Sequence, residues 1–214
     1  MRRAEPGEGT RFAKAKARRI ADLQASIAFF SAGNKAARER WVIRELLRNL
    51  GTRHSLSELV SVPPRDEPPD VVVRSGRFEI KEELDNNRQR HREFKQALER
   101  AKAATTMQGL FRRSGYSPIT VGLPDLVFCA QRQGGLGLHK YGARLAASLD
   151  LAIYYNRLDV MELRPGSLAG SMPSEITAWR SVSMLFGRRA IVFYAARGAP
   201  RFIALAQGKV KLRS

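Results

Sequence analysis

Apolar residues recur along this chain in two periods, and the change of period marks out its elements. Ile20, Leu23, Ile27 and Phe30 fall three and four apart, which predicts one helix face from Thr10 to about Ala32. "SAGN" breaks that pattern. A second helix is predicted from about Lys35 to Leu50, with Val42, Ile43, Leu46, Leu47 and Leu50 as its buried side and Gly51 as its stop. After the loop "SVPPRDEPP" the period drops to two in "DVVVRSGRFEIKEEL", the pattern of a half-exposed hairpin. The segment before it, "HSLSELVSV" at 54–62, is a candidate strand. A third helix follows from about Asn87 to Thr105, with Phe94, Ala97, Leu98 and Ala101 on one side. "DLVFCAQ" reads as a buried strand followed by a Gly-rich loop. A short helix near "KYGARLAASL" then leads into the strand "DLAIYYNR". A Pro/Gly loop covers about 164–174, and "AWRSVSML" and "RAIVFYAA" read as two more strands. The expectation is an α/β fold with a mixed central β-sheet flanked by helices, residues 34–214, preceded by a basic tail and an extra N-terminal helix at 1–33.

Charge narrows the class of partner. The 214 residues carry 38 Lys+Arg against 20 Asp+Glu, a net charge of +18, and the sequence pI is near 11.1. Such a surface attracts polyanions, so nucleic acid, and DNA above all, is the expected partner. An anionic membrane face or an acidic protein is the competitor. No apolar run is long enough to span a bilayer, and no apolar core follows the basic start "MRRAEPGEGT". The single cysteine, Cys129, excludes an internal disulfide and a cysteine-based zinc site, and is compatible with the cytoplasm. "GGLGLHK" lacks the lysine-serine ending of a phosphate loop.

Chemistry concentrates in the hairpin. With Ser75-Gly76 as a two-residue turn, Asp70 faces Lys81 and stands diagonal to Glu79. Strand alternation puts Asp70, Glu79, Lys81 and Glu83 on one face, and Val71, Val73, Phe78 and Ile80 on the other. Diagonal partners lie about 7–8 Å apart, close enough for two carboxylates to share one divalent cation. Phosphodiester cleavage needs an activated water and relief of phosphate charge, and a hard cation held by oxygens supplies both. A lysine beside it can orient the water. Any half-exposed hairpin shows the same alternation. What sets this one apart is an aspartate at a strand start and acids gathered in a basic chain.

These residues resemble the PD-(D/E)XK nuclease signature, with Pro69-Asp70 as its first half and Glu79-Ile80-Lys81 as its second. Beyond the motif, "ARERWVIRELLRNL", "EPPDVVVRSGRFEIKEELD", "LDLAIYYN" and "AWRSVSMLFGRRAIVFYA" are similar to a bacterial family of unknown function described as endonucleases. The resemblance covers most of residues 36–203. It implies a restriction-endonuclease-like core, with Mg²⁺ (or Mn²⁺) held by Asp70, Glu79 and the Ile80 carbonyl. It also implies that Lys81 positions the attacking water. A further glutamate on the preceding helix is implied, for which Glu39 and Glu45 compete; both also suit helix-surface ion pairs. Glu83 is an outer ligand or a solvated charge.

The helix after the hairpin carries Arg88, Arg92, Lys95 and Lys102 as a stripe away from Phe94 and Leu98, suited to backbone phosphates. A solvated helix face has the same pattern. Two functions follow: a Mg²⁺-dependent endonuclease hydrolysing DNA, or a catalytically inactive nuclease-fold protein that binds nucleic acid or a protein partner.

Overall fold

The computed structural model describes residues 8–84, 90–111, 119–157, 160–168 and 170–213. In chain order the elements are α1 (Glu8–Phe29), α2 (Lys35–Asn49), β1 (Val60–Ser61), β2 (Val71–Val73), β3 (Gly76–Glu83), α3 (Arg90–Ala103), α4 (Met107–Leu110) and β4 (Ile119–Val121). They continue as α5 (Leu123–Ala146), β5 (Asp150–Tyr155), β6 (Val160–Leu163), α6 (Ser174–Thr177), β7 (Ser181–Phe186), β8 (Arg189–Ala195), α7 (Arg201–Ala204) and β9 (Val210–Leu212). Two compact units result: residues 1–38 with 87–116, and residues 39–86 with 117–214. Among the described residues no helix is long and apolar enough to cross a membrane.

In the first unit the apolar side of α1 packs on α3 and α4. Leu23, Ala101, Ala104 and Leu110 are buried there, with Phe12, Ile20, Phe94 and Leu98 around them. Phe30 stacks on Phe94 at a centroid distance of 5.6 Å, and the Lys16 ammonium donates to the Ala104 carbonyl at 2.8 Å.

The second unit is built on a mixed seven-stranded sheet in the order β1-β2-β3-β5-β7-β8-β9. β3, β5 and β7 run parallel, while the flanking pairs are antiparallel. α5 and α6 cover one face through Leu126, Ala130, Ile176 and Trp179, packed on Leu151, Ile153 and Met184. α2 and α7 cover the other through Ile43, Leu46, Leu47 and Ile203, packed on Val71, Phe78 and Val192. β7 is buried along its whole length, as parallel strands with helices on both faces are. This is the mixed α/β sheet flanked by helices that the periodicity predicts.

Two expectations are corrected. The hairpin turns at Arg74-Ser75, because Val73 pairs with Gly76 and Val71 with Phe78. Arg74 takes the positive φ, 52°, and is pinned there by Glu58 at 2.6 Å and the Arg53 carbonyl at 2.7 Å. Gly76 answers a different demand: a Cβ there would lie 2.5 Å from the Phe78 ring. The tip has moved by one residue and the pairing by two, so Glu79, Lys81 and Glu83 keep their common face and Lys81 is no longer across from Asp70. Asp70 lies just beyond the paired residues, with its amide on the Phe78 carbonyl.

The second correction concerns "DLVFCAQ" and the Gly-rich stretch after it, which form helix α5. A short apolar run does not distinguish a buried strand from a buried helix segment. The deciding signals are upstream and downstream of it. Asp125 accepts from the Gly122 amide at 2.7 Å and caps the start. Leu126, Cys129, Ala130, Gln133 and Gly137 then keep helical spacing on the buried side, while Phe128 is 68% exposed. The glycines make close approach possible. A Cβ on Gly137 would meet the Trp179 ring at 2.4 Å, and one on Gly134 the Glu175 carbonyl at 2.5 Å. Gly142, at φ 75°, kinks the helix near its end. β1 falls inside the 54–62 candidate but holds only two residues, and β4, β6 and β9, at three or four residues each, are too short to show a period.

Candidate active site

The site forms where the start of β2, the middle of β3, the first turns of α2 and the far end of α5 carry polar groups to one place in the second unit. Asp70 stands one residue ahead of β2. Its amide donates to the Phe78 carbonyl at 2.9 Å, and its carboxylate accepts from the Ile80 amide at 2.8 Å. That bond ties the first half of the motif to the second. Asp70 and Glu79 are 4% and 3% exposed, so neither is a solvated surface charge.

Carboxylate oxygens of Glu39, Glu67 and Asp70 all lie within 4.8 Å of one another. Glu39 is buried at the start of the apolar side of α2. Glu67 comes from the Pro-rich loop, a position with no periodic pattern to announce it. Hard oxygen donors of this kind suit Mg²⁺ or Mn²⁺. Mg²⁺ holds its ligands at about 2.0–2.1 Å, so two of them lie at most ~4.2 Å apart. Glu39, Glu67 and Asp70 are thus the side chains that could hold such an ion.

Glu79 is engaged differently. Its Oε1 accepts from Lys81 Nζ at 2.6 Å and from the Tyr141 hydroxyl at 2.6 Å. Tyr141 reaches it from α5, braced edge-on against Trp179 at 6.5 Å, with the Lys81 and Lys140 ammonium groups 5.7 Å and 4.6 Å from its ring centroid. Burial, followed by the hydrogen bond to Glu79 and the negative charges of Glu79, Asp70 and Glu67, pushes the Tyr141 phenol well above its ordinary range. It is therefore a fixed hydrogen-bond donor.

Glu45, the rival of Glu39, lies elsewhere. It pairs with Arg44 and Arg48 at 3.1 Å and with Arg213 at 2.7 Å. Burial works to raise its pKa, but the three arginines outweigh it and hold the carboxyl low. Glu83 is no solvated charge. It is buried, ion-paired with Arg132, and accepts from Gln133 at 2.7 Å. Burial, with the Glu83 charge beside it, pushes the Cys129 thiol up to about 12, an inert core group. Asp150, at the start of β5, is wholly buried and satisfied by Arg180, Ser181 and the Arg77 amide. Of the basic stripe, Arg88 lies outside the described residues, and Arg92, Lys95 and Lys102 are exposed on α3 in the first unit. Lys102 also pairs with Glu99 at 2.9 Å.

A family model described as "Putative endonuclease, protein of unknown function" matches residues 16–213. The chain belongs to this family, DUF1780. The match takes in α2, the hairpin, Tyr141 and the whole central sheet, so the carboxylate cluster lies inside the family's own extent. A solved structure of a protein of unknown function from Pseudomonas aeruginosa strain PAO1, described as of the monooxygenase superfamily, is also similar to the chain. It is 22% identical with a TM-score of 0.61, over 94% of this chain and 96% of that one. At that identity the likeness shows a shared fold alone. No curated protein matches the chain.

Proposed function

We propose that this protein is a divalent-cation-dependent endonuclease that hydrolyses phosphodiester bonds in DNA. The observation that carries the reading is the gathering of Glu39, Glu67 and Asp70 within 4.8 Å, joined through the Ile80 amide to the strand that bears Glu79 and Lys81. The order α2, β1-β2-β3, α5, β5, with β3 and β5 parallel, supports a restriction-endonuclease-like core. The family's description and the net charge of +18 favour nucleic acid as the partner. The superfamily name of the P. aeruginosa structure is not carried over, because at 22% identity the likeness extends to the fold alone.

In this reading Glu39, Glu67 and Asp70 would hold Mg²⁺, with Glu79 and the Ile80 carbonyl as the ligands the signature adds. The ion would relieve phosphate charge and make water a nucleophile at neutral pH. The chain's own residues do the positioning. Asp70 is fixed by the Ile80 amide, so its carboxylate cannot swing into solvent. Lys81 keeps one N–H on Glu79 and directs the others toward the scissile phosphate and the incoming water. Tyr141 holds Glu79 against the electrostatic pull of Lys81, which keeps the lysine on the reacting side. Burial of Glu39, Asp70 and Glu79 lowers the local dielectric and strengthens each of these contacts.

The test combines cutting with binding. Purified protein with Mg²⁺ or Mn²⁺ is expected to nick plasmid DNA, and Lys81→Ala to lose cutting by at least about 100-fold while binding DNA as before. Saturating Mg²⁺ is expected to raise the melting temperature by linkage, at about 2.7 kcal/mol for a hundredfold excess over Kd, and Asp70→Asn to lose that shift. Binding of DNA with neither cutting nor a cation-dependent shift would establish the inactive nuclease-fold alternative.

A further inference from the structure

The first unit holds a cavity that the active-site reading does not use. It has a volume of about 490 Å³ and is lined by Arg11, Lys14, Arg18, Arg19, Asp22 and Phe111, within the size range of small-ligand sites. Its lining brings four cations together with one acid. Arg11, Lys14 and Arg18 fall three and four apart, so they share the solvent side of α1, opposite the side that packs on α3. A charged helix side alone is ordinary. Two further observations set this one apart. The Nε of Arg19 is buried and finds no hydrogen-bond partner among the described residues, a cost that folding usually avoids. Phe111, just beyond α4, is 52% exposed although it borders the same cavity.

We infer that this cavity binds single-stranded DNA, one nucleotide at a time along the strand. Arg11, Lys14 and Arg18 take the phosphates. Arg19 adds a fourth positive charge to the same wall. The Phe111 ring stacks on the base. That ring is what selects the strand form: in a duplex the base faces are stacked on each other, so only an unpaired base can lie on Phe111. The choice of DNA as ligand rests on the nuclease reading, but the site lies in a different unit and needs no cation and no cutting.

The experiment is fluorescence anisotropy of a labelled thymidine 20-mer and of a 20-base-pair duplex, in EDTA, against the full chain. The strand is expected to bind more tightly than the duplex. Phe111→Ala is expected to weaken the strand by about 5- to 100-fold, from the stacking of one base, and to leave the duplex within twofold. Arg11→Gln and Arg18→Gln are each expected to lower the slope of log K against log salt for the strand by about 0.7. Circular dichroism melts of each variant show whether it remains folded; Phe111→Leu, which keeps bulk without the aromatic face, serves should the alanine variant not fold. Equal binding of strand and duplex, unchanged affinity in Phe111→Ala and Phe111→Leu, or Phe111-dependent binding to phosphatidylserine vesicles would overturn the proposal. Because EDTA removes any cation, a chain that never cuts DNA can still pass, and an active nuclease can still fail.

Discussion

At the scale of single residues, Tyr141 makes the sharpest demand. Its hydroxyl is a neutral donor to a buried carboxylate, and bonds to charged groups contribute more than neutral ones, about 1.5–3 kcal/mol. Tyr141→Phe keeps the packing on Trp179 and removes only that bond. The expected result is a kcat for DNA cleavage lower by roughly 10- to 100-fold with KM little changed; a wild-type kcat would show that the hydroxyl does not position Glu79. The residues at this site differ in how far the sequence reveals them. Asp70, Glu79 and Lys81 announce themselves because strand parity and a known signature agree. Glu39 needs the structure to separate it from Glu45, since both occupy a plausible turn of one helix and only contacts tell a cluster member from an arginine partner. Glu67 and Tyr141 have no sequence signal: one sits in a loop without a period, the other in a short predicted helix with nothing to mark it as a site residue.

At the scale of elements, the hairpin and α5 show packing overruling local pattern. The tip is held by Glu58, whose carboxyl lies at about 2, below its ordinary 4.5, because of the hydrogen bond from Arg74 and then that from the Ser55 amide. A group depressed on folding stabilises the fold above its unfolded value and loses that contribution as pH falls through the folded one. The melting-temperature difference between wild type and Glu58→Gln is therefore expected to be constant above about pH 5 and to shrink between about 4.5 and 2. A difference that stays flat down to pH 2 would mean the pair does not stabilise the turn. In α5 the glycines mislead because glycine usually marks loops. Here Gly134 and Gly137 let a helix backbone come against Trp179, a demand set by a residue more than forty positions away. Gly137→Ala is expected to cost about 1–3 kcal/mol from overpacking, read in urea denaturation; no loss would mean that Trp179 can move aside.

At the scale of the whole molecule, the parallel core of the second unit depends on one buried charge. Asp150, at the start of β5, takes the Arg77 amide of β3 on one side and the Ser181 hydroxyl of β7 on the other, with Arg180 neutralising it. Asp150→Ala leaves those donors and a buried cation unpaired, and is expected to cost about 3–5 kcal/mol, seen as loss of a cooperative thermal transition at moderate temperature. The sheet itself was readable because its strands are apolar runs bounded by turns. The two-unit division was not: residues 87–116 are inserted in sequence between strands β3 and β4 of the other unit, yet cluster with α1, and insertion leaves no mark on periodicity.

The contact between α5 and β3 has a consequence in length. α5 meets β3 at two levels, Arg132 and Gln133 at Glu83 and Tyr141 at Glu79 and Lys81. Between Gln133 and Tyr141 the helix advances about 12 Å, at ~1.5 Å per residue. The strand covers about 13 Å between the same two levels, at ~3.3 Å per residue. The two elements thus act as matched rulers laid antiparallel, graduated in different units that agree at both ends. Adding or deleting one residue between Gln133 and Tyr141 would swing the tyrosine about 100° around the helix axis and carry it off Glu79, whatever residue were inserted. For this stretch, spacing matters as much as chemistry.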